Sequence, residues 1–335
     1  MYNSTIFNAV FDVNLLQFRH KKVSVIAPAR LHMGFIDLSG SLGRHFGSIG
    51  LALNEYATRL SVTSASQRII VGPSAARAEK CLTAMCNAFN VPDTLEINIE
   101  SAIPEHIGLG SGTQMSLAVG AALNAFYDLN LDIREIAKVM IRGLRSGIGI
   151  GVFEKGGLVI DGGRGEHTIT PPLLARMEVP DAWRFILVFD KRGQGLHGLQ
   201  EIQAFQELPP FSRREAEQLC YLLLMQALPA IAENDIVRFG EVITRLQTSV
   251  GEHFAAVQGG VYTSSEVARA MHWLSEQGAV GIGQTSWGPT GFCMLNGAGR
   301  TEALVELAKR KFADSDTLTF MSASARNSGC QVVVE

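Results

Sequence analysis

Cysteine is sparse in this chain and charge is low, and each shortage removes a class of protein. Five cysteines, Cys81, Cys86, Cys220, Cys293 and Cys330, are scattered through 335 residues. None forms a Cys-x-x-Cys pair or joins a histidine at zinc spacing, so neither a disulfide framework nor a zinc site is expected. Buried, reduced thiols are expected instead. Charged residues make up 18% of the sequence, and 29 Lys and Arg face 32 Asp and Glu, a net charge of −3. That balance gives no sign of a general nucleic-acid or membrane surface, although it leaves room for a local basic pocket. No apolar run approaches the ~20 residues that span a bilayer. Residues 1–20 interleave Phe7, Val10 and Phe11 with Asn8 and Asp12. Without a basic start or a continuous apolar stretch they do not read as a signal peptide, and a cytoplasmic protein is expected. This segment is treated as an extension or a terminal strand. No two acidic residues are neighbours, and no repeat or low-complexity segment is visible.

What remains is an apolar chain long enough for one large or two ordinary domains. Strands are predicted at 23–27, ending at Pro28, at 57–63 and 68–72 as a pair, and at 95–101, where alternation is clean. Several strands thus precede the first long helix, an order that suggests α+β more than a doubly wound parallel sheet. Ser111 and Gln114 have capping-box spacing and open a helix whose apolar positions run from Met115 to Phe126. Asp132 and Glu135 repeat that spacing before a second helix. A glycine-rich stretch, 143–151, leads to a strand at 158–160 and then Asp161-Gly162-Gly163. The Pro171-Pro172 pair marks a boundary near residue 170, which divides the chain into 1–20, 21–170 and 171–335. Beyond it come a strand at 185–189, a helix capped by Ser212 and kinked or ended at Pro229, and helices near 235–249 and 264–277 with Gly278 as C-terminal glycine. Strands at 279–283 and 291–295, a helix at 301–312 and strands at 317–321 and 331–334 complete the pattern. Cys81, Cys86 and the Met/Leu stripe at 222–225 are assigned to the core.

The strongest chemical signal is Pro104-Glu105-His106-Ile107-Gly108-Leu109-Gly110-Ser111-Gly112-Thr113-Gln114, between a strand and a helix start. Gly108, Gly110 and Gly112 let the backbone approach a ligand closely. Free N–H groups at the helix start point at an anion. Ser111 and Thr113 add hydroxyls for phosphate oxygens or Mg²⁺. Arg30, directly after a strand-ending proline, is a candidate for a phosphate or carboxylate. Asp37 and Asp161 are candidates for Mg²⁺ binding or sugar orientation, against a turn-forming role for Asp161, and His32 is a catalytic candidate, against a core-facing histidine with a satisfied hydrogen bond. Arg142 and Arg145 flank glycines and are candidates for phosphate, against a solvated helix end. Lys191, Arg192 and His197 read as a basic loop, and Arg326-Asn327-Ser328-Gly329 as a polar turn.

Two further segments accompany the loop: Pro28-Ala29-Arg30-Leu31-His32-Met33-Gly34 and Gly283-Gln284-Thr285-Ser286-Trp287-Gly288-Pro289-Thr290. The three together, in this order from residue 23 to about 295, resemble the motifs of the GHMP superfamily of small-molecule kinases. The resemblance implies a GHMP-kinase fold: an N-terminal domain like ribosomal protein S5 domain 2, a C-terminal ferredoxin-like domain, and phosphates held at their junction, with Gly288 contributing. Two departures stand out. Where kinases such as mevalonate kinase carry Ser-Gly-x-Asp, this chain has Ser146-Gly147-Ile148-Gly149, and Gly149 cannot serve as a base. Gly112 replaces the second serine of the phosphate loop.

The extended pattern Ala29 to Leu38, Gly50-Leu51-Ala52-Leu53, Gly108 to Gln114, Ser116 to Gly120, Ser146 to Gly151, Gly156-Gly157 and Ile160 to Gly163 resembles one branch of that superfamily. This branch is the β-ribofuranosylaminobenzene 5′-phosphate synthase family of methanopterin biosynthesis, which serves one-carbon metabolism. The resemblance implies transfer from phosphoribosyl pyrophosphate to 4-aminobenzoate or 4-hydroxybenzoate, with loss of CO₂ and pyrophosphate, Mg²⁺ as cofactor, and a homodimer. Departure of pyrophosphate suits a loop of N–H groups, hydroxyls and Mg²⁺. No alcohol has to be deprotonated, because the nucleophile is a ring carbon. The usual phosphoribosyltransferase signature, adjacent acids after an apolar strand, is missing. An ATP-dependent GHMP kinase and a non-catalytic GHMP-fold regulator remain open readings.

Overall fold

A computed structural model describes residues 21–192, 208–285 and 288–335. The expected N-terminal extension, His197, and Ser286 and Trp287 of the third motif lie outside the described residues. Two sheets organise the chain, with helices packed on them, as the α+β reading expected.

The first sheet is built on two long strands, β1 (Lys22–Asp37) and β2 (Phe46–Ser64). Pro28 does not end β1. The ladder to β2 shifts register between Pro28 and Ala29 and again between His32 and Gly34. An irregularity of this kind accommodates a residue with no N–H to donate, so the strand continues. The first half of β2 pairs with β5 (Leu158–Asp161) and the second half with β4 (Leu95–Ser101). The expected hairpin of 57–63 with 68–72 does not form. β4 buries Leu95, Ile97 and Ile99 and takes the place beside β2, while β3 (Ile69–Val71), with no buried position, runs parallel to β4 at the edge. α1 (Ala75–Phe89), α2 (Ser111–Phe126) and α4 (Ile148–Lys155) pack on this sheet, and α3 (Ile133–Val139) packs on those helices. The predicted Asp132–Glu135 capping box is present at α3.

The second sheet has the order β10-β7-β9-β8, antiparallel throughout: β10 (Leu318–Ser324), β7 (Trp183–Asp190), β9 (Gly291–Asn296) and β8 (Val280–Gln284). Read in chain order this is the 4-1-3-2 arrangement of a ferredoxin-like sheet. Between β7 and β8 come α5 (Arg213–Leu222), which continues through a π turn (Leu223–Ala227) into a last turn (Leu228–Ala232), then α6 (Ile236–Gln258) and α7 (Ser265–Glu276). α8 (Ala298–Lys311) joins β9 to β10. β7 is buried on both faces: Ile186 and Val188 pack with α7 and α8, and Phe185 and Leu187 meet Leu31, Met33, Ile49 and Leu51 of the first sheet. This shared core fixes the two sheets to each other.

Strands also cross the boundary expected near residue 170. β6 (Leu173–Met177) follows the Pro171-Pro172 pair yet extends the first sheet through β5, and β11 (Gln331–Val334) closes the far edge beside β1. The turn at Arg326 to Gly329 steers that return: Asn327 exchanges two hydrogen bonds with the backbone of Val179. The core assignment of 222–225 needs correction. Leu223 is buried, but Leu224 and Met225 are exposed, because only one side of an amphipathic helix faces the core. Cys220 is likewise exposed, whereas Cys81, Cys86 and Cys293 are buried. Among the described residues no helix is long and apolar enough to cross a membrane.

Candidate active site at the start of helix α2

The loop after β4 is held from both sides. From β1, the N–H of Arg30 donates to Leu109 O at 3.1 Å and its Nη1 donates to Gly108 O at 2.5 Å. From the second sheet, Thr290 Oγ1 donates to Ile107 O at 2.6 Å. Gly288 packs directly on Gly108, where a Cβ at 288 would stand 2.9 Å from Gly108 Cα. The three glycine-rich segments of the sequence therefore converge on one short stretch of backbone, residues 107–110. Arg30 was a candidate for gripping a ligand. Its guanidinium is turned onto the loop carbonyl, so its first task is to hold the loop in shape.

Helix α2 begins with Gly110 as N-cap, in the left-handed region at φ 82°. No side chain caps it, so Ser111 is the first helical residue and the expected capping box is not formed. Gln114, its supposed second member, is buried and donates instead to Gly149 O at 2.8 Å. The first N–H groups of the helix have no intrahelical acceptor, and the hydroxyls of Ser111 and Thr113 stand beside them, each partly exposed. These two are the hydroxyl side chains of the helix's first turn. Among the described residues no group of three His, Cys, Asp or Glu is arranged to hold a metal ion.

Gly149 of α4 faces the same helix start. A Cβ there would lie 2.8 Å from Thr113 Cγ2, so the position expected to carry an aspartate has neither a carboxylate nor room for one. Behind it lies Asp161, at the end of β5 and buried. Its Oδ2 accepts from Gly147 N at 2.9 Å and its Oδ1 from Gly163 N at 2.8 Å. Burial pushes its carboxyl up to about 6, with those backbone hydrogen bonds opposing the shift. Asp161 thus fixes the turn that delivers Gly149 to Thr113. His32 is buried, its Nδ1 accepts from Gly34 N at 3.3 Å, and burial followed by the charge of Arg30 holds its pKa well below the usual value. It is a neutral core-facing group here. Asp37 ends β1 and accepts from the N–H and hydroxyl of Ser39, each at 2.7 Å, in a local turn.

Asp37 and Asp161 share a cavity of about 460 Å³, lined mainly by apolar groups including Ile36, Phe46, Ile160, Leu174, Leu223 and Leu224, with Arg44 at the same wall. A second cavity, of about 380 Å³, flanks the loop at Pro104 to Ile107 and is also lined by Tyr56, Phe189 and Lys191. Of the expected basic loop, Lys191 reaches this cavity, while Arg192 turns back to pair with Asp190 at 3.0 Å. Arg145 lies in the turn before α4, half-buried. Arg142 reaches the helix start, donating through Nε to Ser116 Oγ at 3.1 Å. Sequence reading missed its neighbour Arg77, on α1. No local motif marks that residue, because only the packing of α1 on α2 brings it to Gly112.

Comparison with known proteins agrees with this geometry. The sequence profile of the GHMP kinases N terminal domain matches residues 76–153, and that of the GHMP kinases C terminal matches residues 227–314. A homoserine kinase from Cytophaga hutchinsonii superposes with a TM-score of 0.65 at 14% identity, covering 93% of this chain and 97% of that one, which shows the fold. A β-ribofuranosylphenol 5′-phosphate synthase of Archaeoglobus fulgidus is 34% identical over 321 residues, covering 92% of this chain and 98% of its own. That of Methanocaldococcus jannaschii is 35% identical over 249 residues, covering 66% and 75%. The chain belongs to the β-ribofuranosylphenol 5′-phosphate synthase family, within the GHMP kinase fold.

Proposed function

We propose that this chain is a pentosyltransferase that moves phosphoribose from phosphoribosyl pyrophosphate to a para-substituted benzoate, a step toward a methanopterin-type cofactor. The observation that carries this reading is Gly149 packed on Thr113: a phosphate-binding helix start is kept, and the base that an alcohol acceptor would need is absent. The relatives are named for a ribosylated phenol. Decarboxylative transfer to 4-hydroxybenzoate yields such a product, so 4-hydroxybenzoate is the expected acceptor ahead of 4-aminobenzoate.

In this reaction the bond between the anomeric carbon and the diphosphate oxygen breaks, and its electron pair leaves with pyrophosphate. The ring carbon bearing the carboxylate supplies the pair that forms the new C–C bond. CO₂ then departs and returns its bonding pair to the ring, which restores aromaticity. The helix-start N–H groups with Ser111 and Thr113 meet the diphosphate as its charge develops. Ser111 and Thr113 would hold a Mg²⁺ brought in on the diphosphate, and the metal would offset the charge that develops on the leaving group. The apolar cavity beside Asp161 is the place for the acceptor ring, whose flat faces favour an apolar wall with few polar groups.

The test is incubation with phosphoribosyl pyrophosphate, Mg²⁺ and carboxyl-labelled 4-hydroxybenzoate or 4-aminobenzoate, counting released CO₂. Release that requires both substrates is expected. ATP turnover stimulated by homoserine, mevalonate or a sugar, without CO₂ release, would overturn the reading.

A further inference from the structure

Two guanidinium groups meet over Gly112. Arg77 donates through Nε to Glu105 Oε1 at 2.9 Å. Arg142 donates through Nε to Ser116 Oγ at 3.1 Å, and that hydroxyl donates on to Gly112 O at 2.8 Å. Each arginine is thus held by its Nε, and the Nη ends converge. A Cβ built on Gly112 would lie 2.8 Å from Nη1 of Arg77 and 3.9 Å from Nη1 of Arg142. A side chain at 112 would fill the space the two share. Among the described residues Arg142 makes no ion pair with a carboxylate; its side-chain hydrogen bond goes to a hydroxyl. Two like charges gathered in a half-buried place, with one carboxylate between them, are stabilised by a further anion. Paired guanidinium forks fit a phosphate monoester by geometry as well as charge.

We propose that Arg77 and Arg142 together hold the 5′-phosphate of the ribosyl donor, while the loop and the helix start hold the diphosphate. This assignment rests on the transferase reading above. The two phosphate groups of the donor make different demands. The diphosphate gains charge as its bond to the sugar breaks, so it belongs with hydroxyls, N–H groups and Mg²⁺. The monoester keeps its charge throughout and lies away from the reacting carbon. Fixed cations grip it equally in the ground and transition states, which lowers KM and leaves the chemical step alone. Glu105 competes for Arg77, so neutralising it strengthens the grip.

The test measures binding of ribose 5-phosphate and of magnesium pyrophosphate separately to the intact protein, by calorimetry. In Arg77→Met and Arg142→Met, ribose 5-phosphate affinity is expected to fall roughly tenfold or more, which is about 1.4 kcal/mol, with pyrophosphate affinity within about threefold of wild type. Glu105→Gln is expected to tighten ribose 5-phosphate severalfold, a change that a purely structural role would not produce. Arg77 is a helix-surface residue, so its variant keeps the test usable where Arg142→Met folds poorly. Equal losses for both ligands, unchanged ribose 5-phosphate binding, or no measurable binding to wild type would each overturn the assignment. Release of CO₂ by wild type with any of those results would overturn the arginine pair alone. Arginine-dependent ribose 5-phosphate binding without CO₂ release would overturn the transferase reading and leave the anion site standing.

Discussion

Gly149 and Thr113 are in direct contact across the start of α2, with 2.8 Å between the place of a 149 Cβ and Thr113 Cγ2. The position expected to carry an aspartate in kinases such as mevalonate kinase is closed here by packing as well as by residue type. Gly149→Ala should push Thr113 aside and cost about 1–3 kcal/mol, as overpacking does. Gly149→Asp should cost more, since it also buries a charge, and should not create ATP-dependent phosphorylation of small alcohols. Urea unfolding and ATP turnover check both. A Gly149→Asp protein as stable as wild type that phosphorylated homoserine would show the site to be a kinase site lacking only its base.

The glycine-rich loop and the helix it opens were legible in the sequence because the signal is local: three glycines, two hydroxyls and a helix start lie within a few residues. Arg30 and Gly288 were legible as members of motifs, but their contacts with Gly108 were not, because they depend on how two sheets meet. Alternation revealed β4 but could not show that β4 separates β2 from β3. Ser111 looked like a cap because the spacing to Gln114 was right. Gln114 is buried and bonds to Gly149, and Gly110 takes the cap in a conformation that only backbone geometry reveals. Arg77 carried no local signal at all, since its place over Gly112 comes from helix packing.

Asp161 should give the protein a recognisable pH dependence. Its folded carboxyl titrates near 6 against an ordinary 3.8. Between those values the unfolded chain has released a proton that the folded chain still holds, so this group's contribution to stability falls as pH rises from about 4 to about 6. At about 1.4 kcal/mol per tenfold change in acidity, the fall is on the order of 3 kcal/mol. Asp161→Asn should abolish that slope, and unfolding free energies of the two proteins across pH 4–7 should diverge accordingly. A constant difference between them would show that Asp161 titrates alike in both states. Activity should run the other way: protonation weakens the acceptor that fixes Gly147, so turnover should decline as pH drops through about 6.

Gly110→Val and Ser111→Ala separate loop geometry from loop chemistry. Gly110 has φ 82°, and a Cβ there would lie 2.7 Å from Arg30 Cγ. A β-branched residue at that position should cost roughly 1–3 kcal/mol in backbone strain and dislodge Arg30 from Gly108 O. Donor binding should be lost with it. Ser111 caps nothing, so Ser111→Ala should leave stability within about 0.5 kcal/mol while weakening pyrophosphate binding. Thermal unfolding with calorimetric titration of magnesium pyrophosphate reads both. Normal pyrophosphate binding by folded Gly110→Val would show that the loop is not the diphosphate site.

The acceptor should require an electron-donating group para to its carboxylate. The attacking atom is the ring carbon that bears the carboxylate, and an aromatic carbon is a poor nucleophile. A phenolate or amine opposite that carbon pushes electron density into it and stabilises the dienone or iminium species formed on attack. Loss of CO₂ then restores aromaticity and makes the step hard to reverse. The protein's share is placement, since the nucleophile is a ring carbon and no alcohol has to be deprotonated. Holding the ring against the anomeric carbon while pyrophosphate leaves turns an encounter into an internal step. The walls of the cavity at Ile36, Phe46, Leu174 and Leu223 are apolar, so as the proposed acceptor site they would select for shape and leave reactivity to the substituent. Benzoate should therefore inhibit 4-hydroxybenzoate turnover competitively and release no CO₂ itself. Leu223→Asp, which places a charge in that wall, should raise the acceptor KM at least tenfold and leave donor binding unchanged. If benzoate were turned over at a rate similar to 4-hydroxybenzoate, ring activation could not be the source of the nucleophile, and the carbon-attack mechanism would fail even if ribosides were formed.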